Sequence, residues 1–141
     1  MKIIASAALF VALIVPASAA VASEGARLTL TFEAGTPSGA IMVSLFSSAE
    51  TYAGGAPVEQ AVVNVAKGQG SVTFSDLPAG VYAVKAFHDV DGNGRMTANP
   101  FGRPIEPFAF SNNARGTMGP PSWEQASFRV ESDTAQAIEI R

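Results

Sequence analysis

Apolar and polar residues alternate along much of the chain, and this alternation predicts β-strands. In residues 27–33 the apolar side chains occupy only the even positions, as in a strand with one buried face and one wet face. The pattern recurs as far as the C-terminus. Residues 81–88 form one further predicted strand, and the others are marked by the apolar positions Ile41, Val43, Leu45, Ala61, Val63, Val65, Val72, Phe74, Phe128, Val130, Ile138 and Ile140. Because no window shows a 3.6-residue period, we expect an all-β fold, a single antiparallel β-sandwich of about seven strands.

The same alternation predicts which side chains share the core. We expect nine to be buried together: Leu28, Leu30, Phe32, Val72, Phe74, Tyr82, Val84, Phe128 and Ile138.

One long segment, residues 96–124, lacks the alternation. It contains five of the nine prolines, which oppose regular strand pairing, and four aromatic residues that can be buried. A loop of this length and composition predicts a packed excursion over one end or face of the sandwich.

The N-terminus has the features of an export signal. Lys2 precedes an apolar run over residues 3–15, and the small residues at 17–19 suit a signal peptidase. We therefore expect a cleaved signal peptide at residues 1–19 and one mature β-sandwich domain at residues 20–141. No second apolar run is long enough to predict a transmembrane segment. The chain is expected to be periplasmic or secreted.

Composition narrows the classes of function. Lysine and arginine number 9 against 12 acidic residues, and losing Lys2 with the leader changes the net charge from −3 to −4. An acidic surface argues against a nucleic-acid partner. Cysteine is absent, which excludes thiol catalysis, cysteine-ligated zinc and iron–sulfur chemistry. A disulfide-free exported domain with an alanine-rich leader favours a bacterial envelope protein.

The densest group of polar residues, at 88–97, is a candidate metal site. Its side chains follow the spacing of a calcium loop, with a glycine at the sharp turn. The candidate ligands are Asp89, Asp91, Asn93, the backbone carbonyl of Arg95, and Thr97. Pro100 stands where a bidentate glutamate would complete the loop, and Glu106 further along is a candidate replacement. Two interpretations remain open: a calcium site with an affinity on the order of 10⁻⁴–10⁻³ M, or an Asx-rich turn without metal.

Other residues are candidates for ligand binding. His88 lies on the inward face of its strand, and no serine occupies a nucleophile elbow, so no catalytic residue is assigned. Flat apolar faces and polar donors in the long loop suit a sugar, a peptide or a protein surface, although the same aromatics could instead anchor the loop. The candidate ligand-binding residues are His88, Phe110, Asn112, Arg115 and Trp123.

The ordered motifs resemble a known family. Residues 77–83 are similar to a strand motif of prealbumin-like sandwich modules. A longer series resembles the bacterial family called domain of unknown function 2141, over essentially the whole mature chain. The motifs of that series are His88-Asp89, Gly92-Asn93-Gly94, Gly102-Arg103-Pro104, Glu106, Phe110-Ser111-Asn112 and Gly119-Pro120-Pro121. The resemblance implies an exported protein with a prealbumin- or immunoglobulin-like Greek key and no established activity. Members commonly carry aspartate where this chain has Thr97.

Together these features predict a non-enzymatic envelope protein of unknown ligand, with a calcium-binding loop and an aromatic loop for partner binding. The partner would be a small molecule, a glycan or an envelope protein. One alternative is an enzyme that acts on a sugar or small metabolite through His88 and Asp89. Another is a structural assembly subunit that pairs through its sheet edges. An open cleft at His88 and Asp89 would favour the enzyme, whereas closure by the long loop would oppose it.

Overall fold

The alternating segments form strands in a computed structural model of the chain, which describes residues 24–141. Within this range the strands are β1 (Ala26–Glu33), β2 (Ala40–Phe46), β3 (Glu59–Val63), β4 (Ser71–Leu77), β5 (Gly80–Asp89), β6 (Phe108–Phe110), β7 (Phe128–Val130) and β8 (Thr134–Glu139). Two short α-helices are present, α1 (Ala49–Gly54) and α2 (Trp123–Ala126), together with 3-10 turns at Val65–Lys67 and Ser111–Asn113. The described chain is thus mostly β, as predicted. The predicted signal peptide at residues 1–19 lies outside the described residues.

The strands form two sheets. The first has the order β4-β1-β8, and the second has the order β3-β2-β5-β6, with β7 also paired to β5. Neighbours in the second sheet are antiparallel, as is the pair β1 and β4.

One pairing differs from the expected antiparallel arrangement, because β8 runs parallel to β1 from Leu28 opposite Thr134 to Glu33 opposite Glu139. These strands come from opposite ends of the described chain, so no tight turn fixes their relative direction. Alternation specifies which face of a strand is buried, and that face is the same for either direction. The first sheet is therefore mixed.

The core takes side chains from both sheets. Residues of β1 and β2 that contribute to it include Leu28, Leu30, Phe32, Ile41, Val43 and Leu45. Seven of the nine predicted core residues are buried, which confirms most of that prediction. The remaining two, Val72 and Phe128, are half-buried and pack against the same core.

A second cluster lies on the other face of β5. Ala83 points away from the core that contains Tyr82 and Val84, and it packs with Phe46, Tyr52 and Ala126. The two short helices thereby cover part of the outer face of the second sheet.

The expectation that residues 96–124 form an irregular loop is wrong in part, because β6 and the start of α2 fall within it. In β6, small Ala109 faces the core, while Phe108 and Phe110 point to the more exposed side. This arrangement reverses the usual signal, and three residues are too few to reveal a period. Helices α1 and α2 have six and four residues, so neither spans enough turns to produce a 3.6-residue pattern. The strand count is eight rather than about seven within the described range.

Candidate functional site

Three carboxylates meet where β5 ends. Asp89 is the last residue of β5, Asp91 follows in the next turn, and Glu106 comes from the segment just before β6. One oxygen of each carboxylate lies within 4.8 Å of the others, and among residues 24–141 this is the one such group of potential metal ligands. Asp89 and Glu106 are buried, whereas Asp91 is exposed. We call these three residues the acidic cluster.

Asp89 organises the turn through its carboxylate. Its Oδ1 accepts hydrogen bonds from the backbone N–H groups of Gly92 (2.8 Å) and Asn93 (3.1 Å), and Oδ2 accepts one from Gly94 (2.8 Å). Gly92 and Gly94 have φ values of 75° and 76°, a region that glycine adopts readily, so the N–H groups can converge. Burial alone would raise the pKa of Asp89, but these hydrogen bonds, led by that from Gly94, hold it below its ordinary value.

Asp91, Asn93 and Thr97 form a network beside Asp89. Asp91 Oδ1 accepts from the Asn93 backbone N–H (3.0 Å), and Asp91 Oδ2 accepts from Asn93 Nδ2 (2.9 Å). Asn93 Nδ2 also donates to Thr97 Oγ1 (2.9 Å), while Asn93 Oδ1 accepts from the backbone N–H of Arg95 (2.7 Å). The structure thus brings together four of the predicted metal ligands in an Asx-rich turn, and Arg95 joins through its N–H.

Glu106 connects the turn to the segment before β6. Its Oε1 accepts from the Val90 backbone N–H (3.0 Å), and its Oε2 accepts from the Thr97 backbone N–H (2.9 Å). Ile105 N–H donates to the Thr97 carbonyl (2.9 Å), so the chain between them folds back on itself. Glu106 therefore brings a third carboxylate to the turn, which has Pro100 where a calcium loop would carry a glutamate.

The sequence contains a signal for this reversal. Asn99-Pro100-Phe101-Gly102 combines residues that favour tight turns, and a turn there brings residue 106 back towards residue 97. Turn chemistry thus suffices to predict that Glu106 lies near residue 97. It does not predict the two hydrogen bonds that Glu106 accepts.

The acidic cluster has no cationic side chain to neutralise it. In the described part of the chain, the two ion pairs are Arg129 with Glu131 and Arg141 with Glu139, both outside this loop. A carboxylate offers about four acceptor positions. Asp89 accepts three hydrogen bonds and Glu106 accepts two. Some acceptor positions are therefore free for a further ligand.

His88 lies beside the acidic cluster in sequence but on the opposite face of β5. It is fully buried, and its Nε2 lies 2.5 Å from the Ser38 carbonyl oxygen. Since a carbonyl can only accept, Nε2 carries the proton and donates. His88 Nδ1 is buried with no hydrogen-bond partner. The structure therefore confirms that His88 points inward, and it places this side chain away from solvent.

Two of the aromatic-loop candidates, Trp123 and Asn112, hold the loop in place through contacts with the two short α-helices. Trp123 packs edge-on against Tyr52, with ring centroids 5.8 Å apart. Asn112 donates from Nδ2 to the carbonyls of Gln125 (3.2 Å) and Ser127 (2.9 Å), which ties the loop to α2. These contacts anchor the loop.

The other two candidates, Phe110 and Arg115, line a shallow cleft of about 220 Å³. Phe108 and Glu139 are also part of its wall. The rings of Phe108 and Phe110 meet edge-on with centroids 5.9 Å apart. The structure thus brings Phe110 and Arg115 together, while His88, Asn112 and Trp123 do not line this cleft.

The fold and the acidic cluster define a mostly β protein of two sheets with an oxygen-rich turn at the end of its second sheet. A family model matches residues 33–139, about three quarters of the chain. The chain belongs to this family, domain of unknown function 2141, described as uncharacterized protein conserved in bacteria. Neither a curated protein nor a solved structure gives a significant match. Among residues 24–141, no helix has the length and apolar character needed to cross a membrane.

Proposed function

We propose that the chain is an exported, non-enzymatic envelope protein, periplasmic or secreted, whose acidic cluster binds calcium. The proposed fold is a prealbumin-like sandwich. The observation that carries the calcium proposal is the convergence of three carboxylates, two of them buried, with no cationic side chain at ion-pair distance in residues 24–141. Like charges this close repel one another, and a bound divalent cation would offset that repulsion.

The donor set favours calcium over magnesium. Carboxylate, amide and hydroxyl oxygens surround the turn, with Asn93 and Thr97 adding neutral donors to the three carboxylates. An irregular arrangement of oxygens suits calcium, whereas magnesium requires near-octahedral geometry and retains its water. Because Asn93 and Thr97 are neutral donors, the site has fewer charged ligands than a tight calcium site. Its affinity for calcium is therefore expected on the order of 10⁻⁴–10⁻³ M.

The burial of His88 and Asp89 supports a non-enzymatic role. Asp89 is tied by three N–H donors, and His88 contacts the Ser38 carbonyl on the other face of the strand. A general base must reach its substrate through an open cleft. An enzyme acting through this pair would first have to unfold the turn.

Thermal unfolding tests the calcium proposal. At about 10 mM calcium, a ligand of the expected affinity stabilises the folded state by about 1.4–2.7 kcal/mol, or roughly 5–10 °C in Tm. Asp91→Asn should abolish the rise. Asp76→Asn is the control, because Asp76 is an exposed aspartate outside the loop whose φ of 57° asparagine tolerates. Identical melting curves in calcium and in chelator would refute metal binding and leave an Asx turn.

Intact-mass measurement tests the export proposal. Protein recovered from the envelope fraction of its native host should lack about the first 19 to 22 residues. A full-length cytoplasmic species would contradict it.

The cleft at β6 is the proposed partner site. Phe108 is 41% exposed beside Phe110, and Arg115 supplies a cationic donor in the same wall. This combination suits the flat face and polar groups of a glycan or a peptide. Titrating defined oligosaccharides and acidic peptides while recording amide chemical shifts should move signals of residues 108–115. A cleft that responds to none of these probes would contradict the proposal.

A further inference from the structure

The segment between Thr97 and Ile105 is a short hairpin that projects from the acidic cluster. Beyond the bond from Ile105 N–H to the Thr97 carbonyl, Ala98 pairs with Pro104. Asn99 N–H then donates to the Arg103 carbonyl (2.8 Å). Three successive residue pairs therefore lead away from the cluster. At the rise of a strand, they place the tip of the hairpin about 7–10 Å from its first pair.

The turn of this hairpin is tightly ordered. Gly102 N–H donates to the Asn99 carbonyl (2.9 Å), and Gly102 has a φ of 78°. Asn99 Oδ1 accepts from the N–H groups of Phe101 and Arg103, each at 3.0 Å. The side chain of Phe101 is therefore displayed by a fixed backbone rather than by a loose loop.

Phe101 is 91% exposed at the tip of the hairpin. A single exposed apolar residue is common on protein surfaces, but here several occur on one excursion. The other large apolar residues of the loop that are at least a third exposed are Val90, Met96 and Ile105. These three residues lie at or before the base of the hairpin, and Phe101 alone is the apolar side chain at its tip, where it is suited to entering an apolar phase.

Two exposed cationic side chains lie on or next to the hairpin, with Arg103 beside its turn and Arg95 two residues before its base. Arg95 and Arg103 are exposed, and in residues 24–141 neither has a carboxylate within ion-pair distance. They stand out on a chain whose net charge is −3. The three negatively charged side chains of the acidic cluster lie at the base of the hairpin. Asp89 and Glu106 are buried there, and Asp91 is exposed.

We propose that this hairpin docks on the surface of an anionic phospholipid bilayer, with Phe101 in the interfacial region and Arg95 and Arg103 against the headgroups. Charge complementarity selects the occupant, because guanidinium groups bind phosphate and aromatic rings favour the membrane interface. Such binding is peripheral and does not require calcium.

The expected strength follows from the groups involved. Withdrawing the Phe101 ring from water contributes roughly 10- to 100-fold to partitioning, and each arginine near an anionic surface contributes about fivefold. The combined effect is weaker than that of a single myristoyl chain, whose binding constant is about 10⁴ M⁻¹. Docking should therefore be reversible and measurable at millimolar lipid.

Co-sedimentation of the mature protein with phosphatidylglycerol vesicles, in chelator, tests the proposal. Phe101→Ser should lower the partition coefficient at least tenfold, and Arg103→Gln about fivefold. Met118→Asn is the matched control, because Met118 is also a fully exposed apolar side chain, and its φ of 67° suits asparagine. It should bind like the wild type. Phosphatidylcholine vesicles should bind the wild type several-fold more weakly.

Equal partitioning of the wild type and Phe101→Ser would overturn the proposal, as would equal binding to the two lipids. Phe101-dependent sedimentation without vesicles would also overturn it, by showing that the tip pairs with a second copy of the chain. Unchanged melting temperatures establish that the variants are folded, which is expected because neither replaced apolar side chain is buried. The calcium titration uses no lipid, so failure of either proposal is recognised separately.

Discussion

Replacing Glu106 with alanine should free the hairpin from the end of β5. The carboxylate accepts from the N–H groups of Val90 and Thr97, and the substitution leaves both donors without this partner. A hydrogen bond to a charged group contributes about 1.5–3 kcal/mol, and water entering the opened loop recovers part of that. We therefore expect the free energy of unfolding to fall by about 2–4 kcal/mol.

Urea denaturation followed by the fluorescence of Trp123 measures this loss. The matched control is Glu131→Ala, because Glu131 is an exposed glutamate paired only with exposed Arg129. Its loss should be under about 1 kcal/mol. If the two variants were equally stable, the hydrogen bonds to Glu106 would contribute nothing beyond a surface ion pair, and Glu106 would not hold the hairpin.

Three further outcomes follow from the core and the turn. Phe74→Ala should lower the free energy of unfolding by about 3–5 kcal/mol in denaturant titrations, because Phe74 is buried. Thr31→Ala, on the exposed face of β1, should lower it by less than about 0.5 kcal/mol. Equal losses would contradict the register of β1 and β4. Because the pKa of Asp89 is lower in the folded state, its contribution is present above about pH 4 and is lost as pH falls through the folded pKa. Asp89→Asn should therefore flatten the loss of Tm with acid, and an unchanged slope would count against the hydrogen bonds from Gly92, Asn93 and Gly94. Thr97→Asp places a fourth carboxylate beside Asp91, so it should lower Tm in chelator and enlarge the rise with calcium; a rise no larger than that of the wild type would oppose direct ligation at this position.

The sequence predicts those parts of the fold that have a strong local pattern. In β1, buried Leu28, Leu30 and Phe32 alternate with more exposed residues, so the sequence identifies the strand and its inner face. In β6 the inward residue is Ala109 and the aromatics point outward, so the same rule fails. The parallel pairing of β8 with β1 depends on how distant segments meet, and that information lies outside either strand.

The candidate site also combines features that a local sequence pattern predicts with features that depend on distant segments. Oxygen-bearing side chains at alternate positions followed by Gly94 identify the turn, because such a spacing is local. The contribution of Glu106 depends on a hairpin whose signal lies in residues 99–102, and its contacts with Val90 and Thr97 need three-dimensional structure. The inward direction of His88 follows from its strand, but its contact with the Ser38 carbonyl joins residues fifty positions apart.

The hairpin links the two proposed binding events physically. Its base contains Thr97 and adjoins Glu106 in the acidic cluster, and its tip carries Phe101. A cation at the base would fix the orientation of the tip and offset carboxylate charge that repels an anionic surface. Any factor by which calcium strengthens docking must equal the factor by which anionic lipid strengthens calcium binding, because coupling between two sites is reciprocal. A weak calcium site would thus gain affinity at the membrane surface, where the hairpin is held in its docked orientation.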